Sequence, residues 1–118
     1  MDRNETSVMF SDIKTEITKI KTDLNNDSNY YDNYDKFQNW RLFMASFMLA
    51  EYAVSEPVKI MKLTEAQRNL AEAKTELLEF GIEDDALLKL DEMVGQARET
   101  FESHVTANTA QAPSAPGP

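Results

Sequence analysis

The sequence predicts an all-α fold, a four-helix bundle or a set of helical hairpins with coiled-coil-like packing. Two stretches carry apolar residues at alternating spacings of three and four, which places them on one stripe of a helix. These stripes are Phe10, Ile13, Ile17, Ile20 and Leu24, then Leu63, Ala66, Leu70, Ala73, Leu77 and Phe80. Such a stripe must be buried against another element, so we expect the helices to pack on one another.

The helices are expected near residues 7–26, 32–54, 57–80 and 84–103, in up-down-up-down order. Ser7 or Ser11 is suited to cap the first helix, because a serine hydroxyl accepts a hydrogen bond from a free backbone N–H. Ser55 and Pro57 predict the start of the third helix. Gly81 predicts its end, since glycine tolerates the left-handed conformation that follows many helices.

Length and composition indicate one domain over residues 1–104 and a flexible tail over 105–118. A chain of this size can bury a single core without disulfides, and it contains no cysteine. The tail is rich in proline, alanine and polar residues, and it lacks the apolar surface needed to order itself. No basic segment followed by an apolar run opens the chain, so we expect no signal peptide and synthesis in the cytoplasm.

The charge of the chain and the length of its apolar runs argue against two classes of partner. Its formal net charge is −9, and residues 82–118 hold seven acidic and two basic side chains. No basic stripe is available to replace the counterions of nucleic-acid phosphates, so direct binding to nucleic acid is not expected. The longest apolar run, between Arg41 and Glu51, has nine residues. A transmembrane helix needs about 20, so no membrane span is expected.

The second helix differs from the others because it is apolar almost all round. Eight of the eleven aromatic residues lie between Tyr30 and Tyr52. A central core helix explains this composition, and a helix that also serves a subunit interface explains it too, because aromatic residues and methionine are enriched at interfaces. The candidate interface residues are Tyr34, Phe37, Trp40, Phe43, Met44, Phe47 and Met48.

Catalytic and metal-binding signatures are weak. Asp23, Asn25 and Asp27 match the first ligand positions of a calcium-binding loop, but Ser28 and Tyr34 stand where its glycine and its glutamate belong. The turn-forming role of these residues is therefore the stronger interpretation, and we assign no metal and no cofactor. His104 is interpreted as an exposed residue near a fraying helix end. No nucleophile and base form a recognisable set, so we do not expect an enzyme.

Two functions fit this sequence. The first is a non-enzymatic assembly or adaptor protein that acts through protein–protein contacts, as a homo-oligomer or a component of a larger complex such as a virus or phage particle. The second is an acidic inhibitor that occupies the basic, nucleic-acid-binding surface of another protein. Its candidate residues are Glu83, Asp84, Asp91, Glu92, Glu99 and Glu102. Surface carboxylates also serve solubility alone, so both functions remain open.

Overall fold

The computed structural model describes residues 2–27 and 30–111, and these residues form a four-helix bundle. The helices are α1 (Arg3–Asp27), α2 (Gln38–Tyr52), α3 (Glu56–Glu79) and α4 (Asp84–Gln111). A 3-10 segment, Tyr30–Phe37, precedes α2. No strand occurs among the described residues, which confirms the predicted all-α class.

Neighbouring helices are antiparallel. Asn69 of α3 donates to the Ser46 hydroxyl of α2 at 2.9 Å, and Lys74 of α3 lies 3.1 Å from Asp84 at the start of α4. Helix α1 packs on α4, where Lys89 lies 3.4 Å from Glu16. The bundle is elongated, with extents of 63 × 23 × 22 Å, as expected when long helices run side by side.

Both predicted stripes lie in the core except for Phe80, the last residue of the second, which is half-buried against it. The α1 stripe from Phe10 to Leu24 is at most 7 % exposed, and the α3 stripe from Leu63 to Leu77 is at most 3 % exposed. The Phe10 ring lies 5.4 Å from the Phe47 ring of α2 and 6.0 Å from the Phe101 ring of α4. Phe10 therefore joins three helices at one end of the bundle.

The boundaries of α3 agree with the prediction to within one residue. The Ser55 hydroxyl accepts a hydrogen bond from the Val58 N–H at 3.4 Å and so caps the helix. At the other end Gly81 has φ 90°, and the Ile82 N–H donates to the Leu77 carbonyl at 3.1 Å. This is the Schellman arrangement, which satisfies helix carbonyls that would otherwise lack donors.

Three predicted helix boundaries were wrong. Helix α1 begins at Arg3, because an Asp2 carboxylate oxygen accepts a hydrogen bond from the Glu5 N–H at 2.8 Å. The predicted helix 32–54 is divided, since Asn33 leaves helical geometry and the α-helix begins only at Gln38. Helix α4 continues to Gln111, so residues 105–111 of the predicted tail are helical. The first helix breaker beyond His104 is Pro113.

The division before α2 is produced by aromatic packing. The Phe37 ring lies 5.0 Å from the Tyr30 ring and 4.7 Å from the Phe80 ring at the end of α3. Rings at these separations make favourable tilted contacts. The 3-10 segment thus forms an aromatic cluster at this end of the bundle and places Phe37 in the core.

Candidate protein-binding surface

The position of α2 is fixed first at its N-terminus, by a carboxylate from α3. Glu76 accepts hydrogen bonds from the backbone N–H groups of Asn39 and Trp40, both at 3.0 Å, and from the Asn39 side-chain amide at 2.9 Å. The residue before α2, Phe37, makes no side-chain capping bond. Glu76 therefore supplies from another helix the cap that the local sequence lacks, and its negative charge suits the positive end of the helix dipole.

The C-terminus of α2 is held by Lys59 of the same α3 helix. Its ammonium group donates to the carbonyls of Ala50 at 3.0 Å and Glu51 at 2.8 Å, and it lies 5.0 Å from the centre of the Phe10 ring. Lys59 is 8 % exposed, and burial lowers the pKa of its amine from 10.5, although the nearby Glu51 and Glu56 carboxylates act in the opposite direction. The position of this charge suits the negative end of the helix dipole.

The spacing of these two residues along α3 matches the length of α2. Lys59 and Glu76 are 17 positions apart, about 25 Å along a helix, and the 15 residues of α2 span about 22 Å. Between them Asn69 contacts Ser46. Helix α2 is therefore held at its two ends and its middle by α3, so the direction in which its outer side faces is fixed.

Four of the seven predicted interface residues, Phe37 just before α2 and three on its inner side, are buried. Phe37, Trp40 and Phe43 are fully buried, and Phe47 is 3 % exposed. The Trp40 and Phe43 rings stack at 5.3 Å. These four aromatic residues lie in the hydrophobic core of their own chain, so a protein that binds the folded bundle would not contact them.

The other three predicted interface residues have less uniform surroundings. Tyr34 is 48 % exposed and lies under the Arg41 guanidinium, whose carbon is 4.0 Å from the ring centre. Met44 is half-buried against the core. Met48 is 52 % exposed on the outer side of α2. The structure thus leaves Tyr34 and Met48 accessible to another molecule.

The outer face of α2 is uncharged and apolar. It consists of Leu42, Ala45, Met48, Leu49 and Tyr52, all exposed. Leu42 and Leu49 are about half exposed, at 46 % and 51 %, and Tyr52 is 74 % exposed. Single exposed apolar residues are ordinary on protein surfaces, whereas a continuous apolar helix face marks an interaction site.

Leu42, Ala45, Leu49 and Tyr52 are not among the residues predicted from the sequence, because those were chosen by residue type and not by phase, that is, by angular position around the helix. A signal was available. Trp40, Phe43, Phe47 and Ala50 repeat at spacings of three and four, which defines one side of the helix. Residues offset from this set by about half a turn, such as Ala45 and Tyr52, lie on the opposite side. The phase of the buried stripe therefore predicts the outer face.

Charged residues border the outer face at its two ends. Arg41 precedes it, and Glu51 lies near its C-terminal end, where it pairs with Lys14 of α1 at 2.7 Å. The side-chain hydrogen bond with Glu51 raises the pKa of Lys14. One end of the face therefore carries the basic side chain of Arg41 and the other an ion pair, with nine uncharged residues between Arg41 and Glu51.

The acidic candidates on α4 are partly neutralised by their own chain. Asp84 pairs with Lys74 at 3.1 Å, and Arg98 lies 3.6 Å from a Glu102 oxygen and 3.9 Å from a Glu99 oxygen. Asp91 is half-buried, whereas Glu83 and Glu92 are exposed. Helix α4 packs on α3 and α1, and none of these carboxylates belongs to the outer face of α2.

The remaining polar candidates do not assemble into a reactive centre. Asp23 and Asn25 lie on helix α1, about 200° apart around its axis, and the Asp27 side chain and Ser28 are outside the described residues. His104 is half-buried and its Nδ1 contacts the Glu56 carboxylate, so it is not the exposed residue expected from the sequence. Across residues 2–27 and 30–111, no group of three His, Cys, Asp or Glu side chains is placed to hold a metal ion.

None of the helices in the described part of the chain is long and apolar enough to cross a membrane. Comparison of the chain with protein-family models, with curated proteins and with solved structures finds no match.

Proposed function

We propose that this chain is a non-enzymatic assembly or adaptor protein that binds another protein surface through the outer face of α2. The observation that carries the proposal is that all five residues of this outer face, from Leu42 to Tyr52, are exposed and uncharged on a protein with net charge −9. The other three helices each expose charged residues, such as Lys19 of α1, Glu72 of α3 and Glu92 of α4. Interface cores are depleted in charge in the same way.

The rigid support of α2 favours this role. Because Glu76 and Lys59 hold both ends of the helix, its outer face is preorganised and little backbone entropy is lost when a partner binds. The exposed side chains include Met48, which adapts to irregular surfaces, and Tyr52, which supplies a large contact area with a polar tip. The same face could serve a component of a larger particle or a soluble adaptor.

The alternative function is an acidic inhibitor that occupies a basic surface of another protein. The net charge and the exposed carboxylates of Glu83, Glu92, Glu99 and Glu102 support it. The internal pairing of Glu99 and Glu102 with Arg98 weakens it, because part of that negative potential is already compensated. The apolar outer face of α2 has no role in this alternative.

Site-specific photocrosslinking separates the two functions. A photoreactive phenylalanine analogue is placed at Leu49, on the outer face of α2, or at Glu92, on exposed α4, in cells that produce the chain. The proposal predicts protein adducts from position 49 and few from position 92. Adducts from position 92 alone would favour the acidic inhibitor, and no adduct from position 49 would contradict the assembly role.

A further inference from the structure

We infer that the outer face of α2 binds a second copy of this chain, with the two α2 helices antiparallel across a twofold axis. This inference rests on the proposed function and names its partner. The evidence lies in the order of residues along the face, in the charges at its ends and in the position of α4.

Four of the five residues of the outer face, all except Met48, form a stripe that reads the same in both directions. Leu42, Ala45, Leu49 and Tyr52 follow one another at intervals of three, four and three. When two such helices run antiparallel, Leu42 lies opposite Tyr52 of the second copy and Ala45 lies opposite Leu49 of the second copy. Every residue of the stripe then meets another residue of the stripe, as an isologous interface requires.

The sizes of the paired residues are complementary. Ala45 is the smallest residue of the stripe and lies opposite Leu49, so a large side chain meets a small one twice near the axis. Small residues at a helix crossing allow interaxial distances of about 8 to 10 Å. Packing of this kind fills the interface without displacing the buried residues Phe43 and Phe47.

The flanking charges favour the antiparallel orientation. Arg41 borders one end of the face, and Glu51, which already pairs with Lys14 of its own chain at 2.7 Å, lies near the other. Antiparallel pairing brings Arg41 of each copy towards Glu51 of the other, and it does so twice. A parallel pair would bring Arg41 of one copy towards Arg41 of the other, and like charges in close proximity repel.

The position of α4 favours the outer face of α2 over the other sides. Helix α4 packs mainly on α3 and α1, and α2 packs mainly on α3. A dimer formed through α2 therefore places the two acidic α4 helices on its outer sides. That arrangement minimises repulsion between two chains of net charge −9.

Mixed single-cysteine variants test this register directly, because the chain contains no cysteine. Ala45→Cys and Leu49→Cys are made in the full chain, and each is oxidised alone and in an equal mixture. Residues that lie opposite each other satisfy disulfide geometry, with Cα atoms about 4.4 to 6.8 Å apart. We expect the mixture to form covalent dimers at least about tenfold faster than either variant alone.

The matched control is Ala45→Cys mixed with Glu92→Cys, which lies on α4 and should not crosslink. Circular dichroism checks that each variant keeps its helix content. If either variant fails to fold, Leu42→Cys with Tyr52→Cys tests the same symmetry. Homotypic Ala45→Cys dimers that form as fast as the mixture would show a parallel pair and overturn the inference.

Two outcomes separate this inference from the proposed function. Absence of crosslinked dimers up to about 200 µM chain, together with photoadducts from position 49 to a different protein, would overturn self-pairing and leave the assembly role standing. Absence of both crosslinked dimers and photoadducts would overturn the two together.

Discussion

Replacement of Glu76 by alanine tests how α2 is held in place. The substitution removes one carboxylate that accepts three hydrogen bonds, two from backbone N–H groups at the start of α2 and one from the Asn39 side chain. Loss of a helix cap costs about 0.5 to 2 kcal/mol, and loss of a favourable charge at a helix end costs about 0.3 to 1 kcal/mol more. Because water can reach this half-buried site and replace part of the lost bonding, we expect the free energy of unfolding to fall by about 2 kcal/mol.

Urea unfolding followed by circular dichroism measures this change. The expected loss corresponds to a fall in melting temperature of roughly 8 °C for a domain of this size. Glu72→Ala is the matched control, since Glu72 is exposed on the same helix and its replacement should change stability by less than about 0.5 kcal/mol. Equal stabilities of Glu76→Ala and Glu72→Ala would refute the capping role.

Three further substitutions have distinct expected results in urea unfolding. Lys59→Met should cost about 1 to 3 kcal/mol, because two α2 carbonyls lose their donor. The lowered pKa of Lys59 adds a pH dependence, because just below pH 10.5 the unfolded state binds more protons than the folded state. The difference in unfolding free energy between wild type and Lys59→Met should therefore change in favour of wild type as the pH rises in this range. A difference that stays flat or falls would contradict this expectation. Gly81→Ala should cost about 1 to 2 kcal/mol, since φ is 90° there, and an unchanged stability would disprove the strain. The unfolding free energy of Gly95→Ala should stay within about 1 kcal/mol of wild type, because the new Cβ meets only the flexible end of the Gln67 side chain, at 2.9 Å, and alanine has the higher helix propensity. A larger loss of stability would show that the Gln67 side chain cannot move.

Helix class and core were predictable because they depend on local periodicity. The stripes from Phe10 to Leu24 and from Leu63 to Leu77 became buried as their spacing indicated. Ser55 and Gly81 marked the ends of α3 because their side-chain and backbone chemistry acts within a few residues. Such signals need no knowledge of the rest of the chain.

The start of α2 and the surroundings of His104 depend on contacts distant in sequence. Glu76 caps a helix that begins 38 residues earlier, at Gln38, and nothing near Gln38 identifies that carboxylate. His104 contacts Glu56 across 48 positions. Helix periodicity alone does not specify which exposed polar residues of two different helices will meet.

The sequence singled out α2 as an unusual helix, but residue type did not indicate which of its residues are exposed. Aromatic and methionine content indicated α2, yet four of the seven selected residues, Phe37, Trp40, Phe43 and Phe47, are aromatic residues that fill the core. The residues left outside, such as Leu49, are identified by phase. Residue type thus indicates which helix is unusual, and phase indicates which of its sides remains exposed.

Sedimentation equilibrium of the full chain at about 50 and about 500 mM salt tests the role of the outer face of α2 most directly. If two acidic chains associate through this uncharged face, a dimer should form between about 1 and 200 µM, and its dissociation constant should fall at the higher salt concentration because salt screens the repulsion between the chains. The Leu49→Glu substitution should raise the dissociation constant at least about tenfold. Glu92→Gln should leave the dimer unchanged. A monomer throughout this range at both salt concentrations, or a dimer indifferent to Leu49→Glu, would contradict association through this face.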